Sequence, residues 1–164
     1  MIKTGIGYDI HQLKEGRPLI IGGVMVESPL GSVGHSDGDG LIHAICDSLL
    51  GASGLGDIGT FFPSENKKWE NADSRLFLIE VNKMVLKAGY YISNIDCTIV
   101  LQKPKLSSYI VDIQKNIASI LNINQNNISI KATTTDHLGF IGKSKGWSVI
   151  AVSTIYSADG KNNH

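Results

Sequence analysis

The chain has 164 residues, 42% hydrophobic and 18% charged, and its 15 basic and 15 acidic side chains cancel. That composition describes one folded globular domain with a real core and argues against a disordered chain. Without a basic stripe, nucleic acid is not expected as a partner. A phosphate-bearing small molecule is still compatible, because backbone N–H groups, a metal ion and a few lysines hold phosphate without net charge.

Residues 2–9, IKTGIGYD, predict a first strand. Gly5 and Gly7 leave one face of it almost bare, so another element can approach its backbone closely. Residues two apart in an extended chain point the same way, so Asp9 and His11 can reach one ion while Ile10 turns into the core. An Asp-x-His pair alone is a weak sign of metal ligands. The N-terminal MIKTGIGYDIHQL lacks an apolar run of signal-peptide length, and no segment approaches a membrane span. A cytoplasmic protein with no membrane partner is the expectation. Pro18–Val26 (PLIIGGVMV) reads as a β-hairpin turning at Gly22-Gly23, and 27–34 as a loop.

The stretch from His35 to Pro63, HSDGDGLIHAICDSLLGASGLGDIGTFFP, organises the rest. A glycine-studded polar turn leads into an amphipathic helix and ends in a second glycine turn around Asp57. Residues four apart on a helix lie about 40° apart around its axis, so Asp39, His43 and Asp47 form one polar stripe. Leu41, Ile42, Ile45, Leu49 and Leu50 supply the buried side. A histidine between carboxylates beside glycine turns suits a metal or acid–base site. It equally suits a helix capped by Ser36 or Asp37 with a solvated acidic edge. Cys46 and Cys97, the only cysteines, read as small buried hydrophobes rather than a disulfide.

Residues 64–73 (SENKKWENAD) are polar and read as a loop or lid. Ser74 is placed to cap a helix running to about Lys87, with Gly89 as its stop. Tyr91–Leu101 is a β-branched strand halted by Pro104, with Lys103 and Lys105 beside it. Ser107 or Ser108 opens a helix to about Leu121. Ile128–Thr135 is a strand ending in three threonines and Asp136, followed by a glycine- and lysine-bearing loop, 139–146. Hydroxyls, backbone N–H groups and lysines at a strand end suit phosphate oxygens. Residues 147–156 form the last strand, and 158–164 a polar tail outside the domain of 1–157.

Three separated pieces, GIGYDIH at 5–11, the His35–Pro63 block and KATTTDHLGFIG at 131–142, closely resemble the signature segments of the 2-C-methyl-D-erythritol 2,4-cyclodiphosphate synthase family. NADSR at 71–75 and QKPK at 102–105 extend the resemblance over nearly the whole chain. It implies an α+β fold: a four-stranded mixed sheet backed by helices plus a small hairpin, in a homotrimer with active sites between subunits. It implies a phosphorus–oxygen lyase of the non-mevalonate isoprenoid pathway. The 2-phosphate of 4-diphosphocytidyl-2-C-methyl-D-erythritol 2-phosphate attacks the β-phosphorus, releasing CMP and the cyclic diphosphate.

Carried over residue by residue, the resemblance makes Asp9, His11 and His43 ligands of one zinc ion (Zn2+) per subunit. A second cation, Mg2+ or Mn2+, bridges the substrate phosphates. His35 and a threonine match the transition-state stabilisers; counting back from Asp136 favours Thr134 over Thr135. Asp57, with Gly59, matches the contact to the erythritol hydroxyls, and Ile58 between them joins the substrate-binding set. The substrate-binding set is completed by Ser36, Phe62, Pro63, Ser64, Glu65 and Asn66, then by Leu101, Gln102, Lys103, Pro104, Lys105, Leu106 and Ser107 with Lys131, Thr133, Thr134, Thr135 and Asp136. Phe140 and Lys143 close the substrate-binding set, and the arginine that Lys143 replaces contributes in the family to a cavity on the trimer axis that takes an isoprenoid diphosphate. Helix spacing alone makes Asp47 the partner expected to orient His43.

The chain departs from the family pattern at four positions. Asp136 stands where a glutamate is usual, one methylene shorter toward the second cation. Lys143 replaces an arginine and loses its bidentate fork, and Lys145 replaces an acidic residue. Trp147 is bulkier than expected. Two other readings draw on the same residues: a zinc phosphohydrolase, and a trimeric isoprenoid-diphosphate binder without catalysis. The nucleotide-contact segments weigh against the first and the intact Asp9, His11, His35, His43 and Asp57 against the second.

Overall fold

The computed structural model describes residues 1–63, 65–69 and 71–157; Ser64 and the 158–164 tail lie outside the described residues. The first strand, β1 (Ile2–Glu15), is far longer than its apolar start suggests. It pairs antiparallel with the last, β7 (Gly146–Ser157), from Ile2↔Tyr156 to Gln12↔Gly146. β7 pairs in turn with β5 (Tyr90–Val100), which carries β6 (Ile128–Thr133) in parallel. The hairpin forms as expected from β2 (Leu19–Ile21) and β3 (Val24–Val26).

The main sheet has five strands, not four, in the order β4-β1-β7-β5-β6. The extra one is β4 (Leu30–Val33), expected as loop, which pairs with Gln12–Glu15 at the far end of β1. Pro29 and Gly31 conceal it in the sequence. Gly31 is nevertheless required there: a Cβ would stand 2.1 Å from the carbonyl oxygens of Arg17 and Pro18.

Helices α1 (Gly40–Ser53), α3 (Ser74–Lys87) and α4 (Ile110–Leu121) cover one face of the sheet. The short α2 (Ile58–Phe61) and α5 (Gly139–Gly142) punctuate the loops. The bare face of β1 receives α1: a Cβ on Gly5 would lie 2.0 Å from the Ser48 carbonyl oxygen. Leu41, Ile42, Ile45, Leu49 and Leu50 are fully buried against Ile95, Ile99, Trp147 and Val149. Among the described residues no helix covers the opposite sheet face, which exposes Ile2, Ile6, Tyr8, Ile10 and Ile150. Ile10 therefore points away from the core, not into it, because Asp9 and His11 occupy the α1 side.

The cap of α1 is Asp39 rather than Ser36 or Asp37. Asp39 does not lie on a solvated stripe either; it is fully buried. Its carboxylate accepts from the N–H groups of Ile42 (3.1 Å), Gly22 (2.9 Å) and Gly23 (2.6 Å), clasping the hairpin turn to the helix. Burial raises its pKa to about 6 against the pull of those donors. Asp73, not Ser74, caps α3, leaving the Ser74 hydroxyl free to face α1. Tyr109 opens α4 without a side-chain cap. Among the described residues no helix is long and apolar enough to cross a membrane.

Candidate metal centre and adjoining pockets

Asp9 and His11 leave the same face of β1, and His43 descends onto them from the first turn of α1. Asp9 Oδ2 lies 2.9 Å from His11 Nε2 and 3.0 Å from His43 Nδ1. The two histidine nitrogens are 3.2 Å apart. The ring proton of His11 is fixed from outside: Nδ1 lies 2.9 Å from the Val33 carbonyl oxygen, which only accepts. Neutral His11 thus turns the Nε2 lone pair inward. His43 turns its Nδ1 inward while Nε2 meets Ser74 Oγ at 2.9 Å and Ser36 Oγ at 3.1 Å. Electron-pair donors from Asp9, His11 and His43 face one another at contact distance, an arrangement that needs a cation or a proton between them. Two imidazoles and one carboxylate, half-buried with one side open, suit zinc.

The charges respond accordingly. Burial works against ionised Asp9, but hydrogen bonds and attraction from His11 and His43 hold its carboxyl well below the usual range. Burial likewise lowers His11, yet the hydrogen bond and charge of Asp9 win and raise it. Trp147, fully buried, backs the His11 ring at 6.3 Å and donates its Nε1–H to Ser32 Oγ at 3.0 Å. Its bulk is thus a wall of the site.

A cleft of about 180 Å³ opens beside the centre, lined by His11, His35, Ser36, His43, Ile58, Phe62, Trp69 and Phe77. Asp57 caps α2, whose Ile58 lines the cleft; the backbone and hydroxyl of Thr60 hydrogen-bond to its carboxylate at 2.8 and 3.0 Å and keep its pKa low. Gly59 follows inside α2. The Pro63 carbonyl accepts from the Asn66 N–H at 3.1 Å, and Glu65 and Asn66 are exposed. Sequence reasoning missed Trp69 and Phe77. Phe62 stacks on Phe77 at 4.7 Å and Trp69 meets both edge-on, a cluster with no local periodicity to reveal it.

Asp47 does not orient His43. Its carboxylate accepts from the Ile58 N–H at 2.7 Å and so ties α1 to α2. Ser74 and Ser36 hold the outer nitrogen of His43 instead.

A second pocket, about 340 Å³, is lined by Leu101, Gln102, Pro104, Lys105, Leu106, Ser107, Ile110, Ala132, Thr133 and Thr134. Lys103 borders a neighbouring hollow with His137 and Ser144. Thr134 and Asp136 sit together at the strand end, with Thr134 Oγ1 3.3 Å from the Asp136 N–H nitrogen. Thr135 Oγ1 donates to the Leu138 carbonyl at 2.7 Å. Lys131 lies on the open sheet face, ion-paired with Asp96. Phe140 and Lys143, on and after α5, are exposed. Within one subunit the metal centre's cleft and this second pocket share no described lining residue.

The YgbB family model matches residues 2–156. A 2-C-methyl-D-erythritol 2,4-cyclodiphosphate synthase of Shouchella clausii is 46% identical over 97% of this chain and 100% of its own length. One from Clostridium acetobutylicum is 51% identical over 90% of this chain and 95% of its own. Among solved structures, the CDP complex of IspF from Plasmodium falciparum superposes with a TM-score of 0.84 at 38% identity, over 95% of this chain and 96% of that one. The bifunctional IspDF of Campylobacter jejuni gives 0.93 at 40% identity; 96% of this chain is covered, but only 42% of that longer one. By sequence and by fold the chain belongs to the YgbB family, that of the 2-C-methyl-D-erythritol 2,4-cyclodiphosphate synthases.

Proposed function

We propose that the chain converts 4-diphosphocytidyl-2-C-methyl-D-erythritol 2-phosphate into 2-C-methyl-D-erythritol 2,4-cyclodiphosphate and CMP, a step of isoprenoid precursor synthesis in the cytoplasm. The observation that carries this reading is the convergence of Asp9, His11 and His43 beside the cleft of His35 and Ser36, in a chain of this family.

The 2-phosphate is already a dianion near neutral pH and needs no base. An oxygen of it bonds to the β-phosphorus as the bond to the α-phosphate oxygen breaks, and CMP departs with that oxygen. The difficulty is bringing two anionic groups together, so the residues act by positioning and by donating hydrogen bonds. A zinc ion on Asp9, His11 and His43, with Mg2+ or Mn2+ on the phosphates, would supply charge neutralisation and polarise the phosphoryl group. His35 at the cleft and Thr134 at the strand end are the donors we assign to the transition state. The bond from Thr135 to Leu138 supports Thr134 over its neighbour. Ionised Asp57 accepts from the erythritol hydroxyls. The pocket from Leu101 to Ser107 takes the cytidine.

The separation of the two pockets within a subunit supports a homotrimer whose active sites join the metal centre of one chain to the nucleotide pocket of the next. The exposed apolar face of β1 and β7 supplies a surface for that contact. Exposed Lys143 is the residue we assign to an isoprenoid diphosphate in a cavity on the trimer axis. The test is phosphorus NMR on protein incubated with zinc, magnesium and substrate. CMP with a cyclic diphosphate is expected; CMP with a linear product would mean that water is the nucleophile and would overturn the cyclase reading.

A further inference from the structure

The inner nitrogen of His43 faces the metal centre only if the outer one is held as a donor, and the structure contains a chain of groups that does this. Ser74, first residue of α3, is fully buried. Its hydroxyl hydrogen-bonds to one oxygen of Asp37 and its backbone N–H to the other, at 3.0 Å. A carboxylate only accepts, so the hydroxyl proton of Ser74 is directed at Asp37. Ser74 Oγ then presents only lone pairs to His43 Nε2, 2.9 Å away. Nε2 must therefore carry a proton, so Nδ1, 3.0 Å from Asp9 Oδ2, is the nitrogen whose lone pair is offered when a cation sits between Asp9, His11 and His43.

Asp37 is itself fixed. Its N–H donates to the Ala72 carbonyl at 3.1 Å, and its carboxylate accepts from the Asp39 N–H at 3.2 Å. Asn71 N–H donates to the His35 carbonyl at 2.8 Å, so two backbone bonds sew residues 71–72 to the turn that carries Asp37. The relay is preorganised by two loops far apart in sequence rather than by the helix that bears His43.

We propose that Ser74, held by Asp37, is a positioning residue that fixes the tautomer and ring orientation of His43 at the metal centre. The arrangement corresponds to the carboxylate–histidine pairs that orient metal ligands elsewhere, with a serine hydroxyl inserted as the bridge. It rests on the metal reading of Asp9, His11 and His43, and its test separates the two.

Nitrogen-15 NMR of histidine-labelled, metal-free protein, above the pH range of histidine titration, reads the His43 tautomer without any ion. The Nε2–H form is expected to prevail in the unmodified protein against the pull of Asp9 on Nδ1, and the Nδ1–H form to gain in Ser74→Ala. Zinc affinity, measured against a competing chelator, should fall about ten- to a hundredfold in Ser74→Ala. Ser74→Thr, which keeps the hydroxyl, should restore the Nε2–H form. An unchanged tautomer in Ser74→Ala would overturn the proposal even if zinc affinity fell, because the loss would then be structural. If Ser74→Ala does not fold, Asp37→Asn weakens the same relay and is read in the same way. Absence of zinc binding by the unmodified protein would overturn the metal reading but leave the tautomer measurement standing.

Discussion

A Cβ placed on Gly7 would stand 1.9 Å from the carbonyl oxygen of Ala44. Helix α1 thus rides on the backbone of β1, and that approach brings His43 down to Asp9 and His11. Gly7→Ala must push the helix away or bend the strand. It should cost about 1–3 kcal/mol, the usual range for an overpacked contact. It should also weaken zinc binding, because the ligands on β1 and α1 separate. Thermal unfolding of the metal-free protein and a zinc titration check both; an unchanged Tm would mean that the contact is not rigid.

Asp39→Ala should destabilise the protein through a different route. It removes the acceptor for the N–H groups of Gly22, Gly23 and Ile42. Unsatisfied buried donors cost about 1–3 kcal/mol each where water cannot reach them. The hairpin should loosen first, since Asn116 holds Gly22 only from the other side, through its carbonyl at 2.6 Å. Hydrogen exchange is the suitable measurement: protection should fall across residues 19–26 before it falls in α1.

Much of this architecture was legible from residue patterns, because the deciding interactions are local. The alternation of Gly5 and Gly7 announced a close backbone approach, and Gly22-Gly23 announced the hairpin. The pairing of Asp9 with His11 follows from strand geometry alone. What escaped detection depends on partners distant in sequence. β4 is a strand only because β1 continues to Glu15 and offers it an edge. Helical spacing pointed Asp47 at His43, but the Ile58 N–H took its carboxylate. Ser74 read as a helix cap, because nothing in its neighbourhood shows that Asp37 and His43 meet it.

Zinc binding should depend on pH through His11. Asp9 holds the His11 imidazolium above its ordinary 6.5 despite burial, and His11 and His43 hold Asp9 below 3.8. The contribution of a raised histidine is complete below 6.5 and disappears as pH climbs through the raised value. The contribution of depressed Asp9 is present above 3.8 and disappears only in strong acid. Metal-free protein should therefore lose stability as pH rises through the His11 titration. Zinc needs the Nε2 lone pair, so its affinity should rise over that same interval. Calorimetry in buffers of different ionisation enthalpy should show release of about one proton on binding below the interval and none above it. Proton release that is constant across the interval would remove His11 as the titrating group.

The strongest test of the assembly is complementation between two inactive chains. His43→Ala lacks a metal ligand but keeps its nucleotide pocket, and Thr134→Ala is the reverse. Each alone should show no turnover. If every active site joins the metal centre of one subunit to the pocket of its neighbour, mixed trimers contain some sites built from two intact halves. Random assembly of equal amounts gives an intact pairing at roughly one quarter of sites, so activity should return to about that fraction. Sites built within one subunit would give no recovery. Ile6→Glu should abolish both the assembly and the recovery. Ile6 is 70% exposed on the sheet face turned away from α1, so the charge disturbs no core packing. Sedimentation should then show a folded monomer with unchanged circular dichroism, and a trimer surviving the substitution would place the subunit contact elsewhere.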